Sequence, residues 1–140
     1  MNYLYSLFTI LILLLFSSCD PALKVKYEVI NKTTKPINVK FQFVFNRSGD
    51  TSMQVVTIAK NDSKILNEED GLGYINQFNQ RRDSVYIYQL SIEQGNKRTN
   101  VNFKDKKYWI LKKNGDQEGV YQLFFDTTFL GKLGNSYYRK

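Results

Sequence analysis

Between Ile37 and Phe45 an apolar side chain occupies every second position. Ile37, Val39, Phe41, Phe43 and Phe45 alternate with Asn38, Lys40, Gln42 and Val44. Successive side chains on an extended chain point to opposite faces, so this period of two predicts a strand with one face in a core. The pattern recurs earlier, where Val25, Tyr27 and Val29 alternate with Lys24, Lys26 and Glu28. Asn31–Pro36 breaks the two runs with turn-forming residues, and Asn46–Asp50 turns the chain again. Further strands are predicted over Thr51–Ala59, Lys64–Asn67, Ser84–Gln94, Lys97–Phe103, Tyr108–Lys112 and Val120–Asp126. Gly95-Asn96 and Asn114-Gly115 supply hairpin turns, because glycine tolerates the positive φ that such turns require. Glu68–Arg82 carries Gly71 and Gly73 with little alternation and reads as a long loop, with room for one helical turn around Tyr74–Phe78. About eight short strands with no strong amphipathic helix predict an all-β fold, an antiparallel β-sandwich of immunoglobulin-like kind. An open β-barrel is the alternative.

The other strong constraint lies at the amino terminus. Leu4–Phe16 (LYSLFTILILLLF) has only Ser6 and Thr9 as clearly polar members. As a helix it would reach roughly 20 Å, against about 30 Å for a bilayer core, so it suits a signal peptide better than a membrane span. Phe16-Ser17-Ser18-Cys19 follows directly. This junction resembles the lipobox of bacterial lipoproteins. Small Ser17 and Ser18 leave the backbone open to a peptidase, and Cys19 carries the strongest nucleophile of the region. The resemblance implies that the Cys19 thiol receives a diacylglycerol, that cleavage falls before Cys19, and that the new amine is acylated, with palmitate-type chains holding the product on a membrane. Phe16 stands where leucine is more usual, and residues 1–6 carry no Lys or Arg. An uncleaved anchor or an inert buried cysteine is the alternative. The expected organisation is therefore 1–18 signal peptide, 19–23 lipidated cysteine and short tether, and 24–140 β-sandwich domain.

Composition narrows the chemistry. The 140 residues include no histidine and one cysteine. A histidine-assisted triad, a His-ligated metal, a cysteine-rich zinc site and an internal disulfide are thereby excluded, and the residues imply no cofactor. The formal net charge of +7 falls entirely after residue 18.

Four constellations remain. Asn114-x-Asp116-x-Glu118-Gly119 matches the start of a calcium loop, but its twelfth position is Phe125, so an acidic hairpin turn is the better reading. Glu68-Glu69-Asp70 could offer paired carboxylates to a hydrolase, although adjacent acids are more often simply solvated. Lys104, Lys106, Lys107, Lys112 and Lys113 cluster near Tyr108 and Trp109. Export argues against nucleic acid as their partner, leaving an anionic membrane surface, acidic glycans or a plain solvated face. Tyr86, Tyr88, Tyr108, Trp109 and Tyr121 could form a sheet face that stacks on sugars, or could simply pack in the second face of a central strand.

Several fragments together resemble a group of short, uncharacterised Bacteroidota lipoproteins. They are Tyr27-x-Val29-x-Asn31-x-Thr33 with Ile37-x-Val39, then Ile58-x-x-Asn61-Asp62-Ser63, then Asp83-Ser84-Val85-Tyr86-Ile87, and the aromatic stretch Tyr121–Phe129. Asn61 stands where that group usually has glycine, and the acidic run often found in its last strand is missing. The resemblance implies a lipid-anchored β-domain of the cell envelope, held at the outer membrane, with no catalytic residues to carry over. Asp83-Ser84-Val85 also resembles the O-glycosylation signal of these bacteria. The sequence thus leads to a non-enzymatic binding or structural module, with envelope proteins or glycans as partners. A glycan-binding module and a carboxylate-dependent hydrolase are the competing readings.

Overall fold

The computed structural model describes residues 21–43, 52–80, 84–99 and 101–130. Eight strands carry the fold: β1 (Ala22–Asn31), β2 (Ile37–Phe43), β3 (Gln54–Ile58), β4 (Ser63–Leu72), β5 (Ile87–Gln94), β6 (Lys97–Arg98), β7 (Ile110–Lys113) and β8 (Glu118–Phe125). They form two four-stranded sheets, ordered β4-β1-β8-β7 and β3-β2-β5-β6. The sandwich is the predicted class. One pairing departs from a wholly antiparallel arrangement, since β1 and β8 run parallel along Lys24–Asn31 and Glu118–Phe125.

The alternating faces meet between the sheets. Val25, Tyr27 and Val29 of β1 and Tyr121, Leu123 and Phe125 of β8 share one core with Ile37, Val39 and Phe41 of β2 and Ile87, Leu90 and Ile92 of β5. The outward positions of β1 are held by polar partners on both neighbouring strands. Lys24 pairs with Glu68 of β4 at 3.5 Å, and Lys26 with Glu118 of β8 at 3.0 Å. Glu28 accepts from Ser63 Oγ at 2.6 Å and from Gln122 Nε2 at 2.7 Å.

Three predicted boundaries move. The stretch Glu68–Leu72, expected as loop, continues β4 and pairs with β1 down to Ala22 opposite Leu72. It is a poor strand former alone, and the lysines facing it on β1 supply what its own propensity lacks. A six-residue helix, Ile75–Gln80, follows it. The strand expected over Lys97–Phe103 ends at Arg98, and just beyond it the Thr99 N–H and Oγ1 both donate to the Ile92 carbonyl at 3.1 and 3.3 Å. In β5, Gln42 of β2 faces Gln89 and Phe43 faces Ile87, so Tyr88 is the extra residue of a bulge.

The helix is seated by a close approach. Ile75 is fully buried, and a β-carbon placed on Gly119 of β8 would lie 2.7 Å from the Ile75 side chain and 2.9 Å from Leu111 Cδ1. Gly119→Ala is therefore expected to destabilise the domain by about 1–3 kcal/mol, the usual cost of overpacking. Urea unfolding of the variant beside the wild type checks this, and an unchanged midpoint would contradict it.

Candidate functional site

The end of the sandwich where β1 begins is assembled from three chain segments. The Pro21 carbonyl accepts from the Gly73 N–H at 2.8 Å, the Lys24 N–H donates to the Gln117 carbonyl at 2.8 Å, and the Ile75 N–H donates to the Asp116 carbonyl at 2.9 Å. Gly73 has φ 109°, in the region that favours glycine, and so turns the chain out of β4 into the helix. Around this joint Leu72 is 73% exposed and Tyr74 is 46% exposed, with Ala22 exposed beside them. The helix is tied back by Lys113 Nζ donating to Asn76 Oδ1, by Lys106 Nζ donating to the Asn79 carbonyl, and by Tyr121 Oη donating to Asn79 Oδ1 at 2.8 Å.

Charge at this end is largely balanced. Lys24–Glu68 and Lys26–Glu118 are ion pairs, and the hydrogen bond to Glu118 holds the Lys26 ammonium above its ordinary pKa. The lysine stays charged at neutral pH, and its contribution is lost as pH rises through the alkaline range.

The opposite end is built differently. Asn31, fully buried, donates through Nδ2 to the carbonyls of Lys35, Ile58 and Ala59 at 2.9, 3.2 and 3.0 Å. Its Oδ1 accepts from Thr33 N–H and Oγ1 at 2.9 and 2.7 Å, and Gln94 Nε2 donates to Thr33 Oγ1 at 2.6 Å. Three turns are thus joined by side chains. They present Lys32, Lys35, Lys60 and Lys97, all exposed. Among the described residues no carboxylate lies within ion-pair distance of these four lysines.

Cys19, Ser17 and Ser18 lie outside the described residues. The five aromatic residues do not make one face. Trp109 is 6% exposed and its Nε1 donates to the Phe103 carbonyl at 2.6 Å. Tyr121 stacks on Tyr27 at 5.6 Å within the core. Tyr108 is half-buried against Phe103 and Phe129, and Tyr86 against Phe78. Tyr88 alone of the five stands out, 57% exposed at the bulge, with Lys104 Nζ 4.9 Å from its ring centre. Of the two readings open for these residues, packing describes Trp109 and Tyr121 and largely describes Tyr86 and Tyr108, while Tyr88 is the ring that remains exposed.

The lysine cluster is likewise divided. Lys106 and Lys113 serve the helix, and Lys107 pairs with Asp105 at 2.7 Å, which raises the lysine pKa and lowers that of the carboxyl. Glu68, Glu69 and Asp70 lie on a strand instead of a loop, with Glu69 accepting from Tyr27 Oη at 3.4 Å. Adjacent residues of a strand face opposite ways, so Glu69 is separated from Glu68 and Asp70, which share the outer face with Lys24, the ion-pair partner of Glu68. Asn114–Gln117 is a hairpin turn between β7 and β8 with Gly115 at φ 97°. Among the described residues no three Asp, Glu or Cys side chains gather as a metal site would need. Ser84 is exposed and bridges to Asp105; Asp83 lies outside the described residues.

The chain matches no family model, no curated protein and no solved structure. What sequence reasoning missed is the pair Leu72 and Tyr74 beside Pro21. The signal was a leucine between two glycines, Gly71 and Gly73, in a stretch read as featureless loop.

Proposed function

We propose that this chain is an exported lipoprotein of the bacterial cell envelope, anchored in the outer membrane through acyl chains on Cys19, with its sandwich serving as a non-enzymatic binding or structural module. The observation that carries this reading is the junction itself. An apolar run of signal length ends in Ser17-Ser18-Cys19, and the β-domain begins at once, with Pro21 already hydrogen-bonded to Gly73. Each buried methylene of an acyl chain contributes about 0.8 kcal/mol, so two or three chains make attachment effectively permanent. A domain held this way needs no spanning segment of its own, and no helix among the described residues is long and apolar enough to cross a membrane.

In this arrangement the joined turns carrying Lys32, Lys35, Lys60 and Lys97 point away from the bilayer. Acidic envelope glycans or the acidic surfaces of envelope proteins are the partners that such an end suits. The tyrosine-based glycan reading loses support, because its rings are largely packed. Metabolic labelling with a fatty-acid probe tests the proposal. Wild-type protein is expected to incorporate the probe and Cys19→Ala to incorporate none; equal incorporation by the two would overturn it.

A further inference from the structure

The sandwich has one end that is both apolar at its surface and tied to the start of the chain. Leu72 and Tyr74 flank Gly73, whose N–H holds the Pro21 carbonyl, and Ala22 sits opposite Leu72 in the β1–β4 ladder. Pro21 lies two residue steps from Cys19, with Asp20 between them, a reach of about 7 Å at full extension. The headgroup layer of one leaflet is about 5–8 Å deep. A sandwich tethered by acyl chains on Cys19 therefore cannot lift this end clear of the headgroups.

We infer that Leu72 and Tyr74 dock into the interfacial layer of the bilayer that holds the anchor, fixing the sandwich end-on with its basic turns outward. This rests on the lipid-anchor reading and adds the surface and the orientation. The chemistry fits that occupant. A leucine 73% exposed beside a tyrosine 46% exposed forms a small apolar wedge with one polar tip, the amphipathic character favoured at headgroup depth. Two of the neighbouring carboxylates are neutralised. Glu68 and Glu118 are paired with Lys24 and Lys26, and Asp70 sits opposite Lys24 in the β1–β4 ladder. The geometry is also stiff. Gly73 sets the turn, and Ile75 plugs the helix into the core directly behind the wedge, so its position relative to the tether is fixed.

Site-directed spin labelling of the full, membrane-purified protein tests this, because a thioether-linked Cys19 leaves no free thiol in a chain with one cysteine. Leu72→Cys, Tyr74→Cys and, at the far end, Lys60→Cys are labelled and reconstituted in phosphatidylethanolamine–phosphatidylglycerol vesicles. Labels at 72 and 74 are expected to collide with oxygen several-fold more, relative to a water-soluble nickel complex, than the label at 60. The difference should vanish when the protein is moved to a lipid-free surface tether. If wild type takes no label and positions 72 and 60 give the same ratio, the docking is overturned while the anchor stands. Low access of position 72 to both probes overturns it in favour of a second copy or another protein as the covering partner. A wild type that itself takes up label overturns the anchor and this inference together.

Discussion

Tyr27→Ala is expected to remove about 3–5 kcal/mol of stability, out of the roughly 5–15 kcal/mol that holds a domain of this size folded. Tyr27 is fully buried and is the ring around which both sheets and the β6–β7 connection meet. It stacks on Tyr121 of β8 at 5.6 Å, meets Trp109 edge-on at 6.0 Å, and touches Phe43 of the other sheet at 5.7 Å. Truncation opens a cavity bordered by three aromatic rings held by separate strands or turns, so the walls cannot collapse onto it together. Tyr27→Phe keeps every ring contact and removes the hydrogen bond to Glu69, which is long at 3.4 Å. Its cost should stay below about 1.5 kcal/mol. Urea unfolding with an unchanged slope is the measurement. A loss under about 1 kcal/mol for the alanine variant would place the core elsewhere.

Asn31→Asp should be as damaging at neutral pH, and for a different reason. The Asn31 amide donates to the carbonyls of Lys35, Ile58 and Ala59, and its replacement is isosteric but has no N–H to give. A buried carboxylate would face three carbonyl oxygens, and the loss is expected to be at least about 3 kcal/mol at pH 7. The sign with pH follows. Burial and the carbonyls disfavour the charged form, so the folded variant holds its proton more tightly than the unfolded chain, whose aspartate titrates near pH ~3.9. The variant is therefore least impaired below that value, where its acid is protonated in both states, and loses stability relative to wild type as pH rises above it. Denaturation midpoints of variant and wild type from pH 3 to pH 7 give the comparison. A gap between them that stays constant across this range would contradict the assigned network.

Much of this architecture can be read from local pattern. The alternation in Lys24–Ile30 and Ile37–Phe43 places Val25, Tyr27, Val29, Ile37, Val39 and Phe41 in the core, as found. What escapes is whatever depends on partners remote in the chain. The second half of β4, Glu68–Leu72, has acids and a glycine that suit a loop, and becomes a strand only because β1 lies beside it. The parallel pairing of β1 with β8 joins the first strand to the last and leaves no local trace. The aromatic residues show a third limit. Tyr88 and Trp109 are equally plausible ligand platforms from composition, but a bulge turns Tyr88 outward while the Phe103 carbonyl gives the Trp109 N–H a buried partner. Asn31 and Thr33 read as members of a polar turn, and only the fold reveals that three turns converge on them.

The account as a whole depends on how the mature chain starts. Mass spectrometry of the amino-terminal peptide from the natively expressed, membrane-extracted protein reads this directly. The expected peptide begins at Cys19 and carries diacylglycerol on its sulfur and an acyl group on its amine. A peptide that begins at Met1, or at Cys19 with a free thiol, would contradict the account.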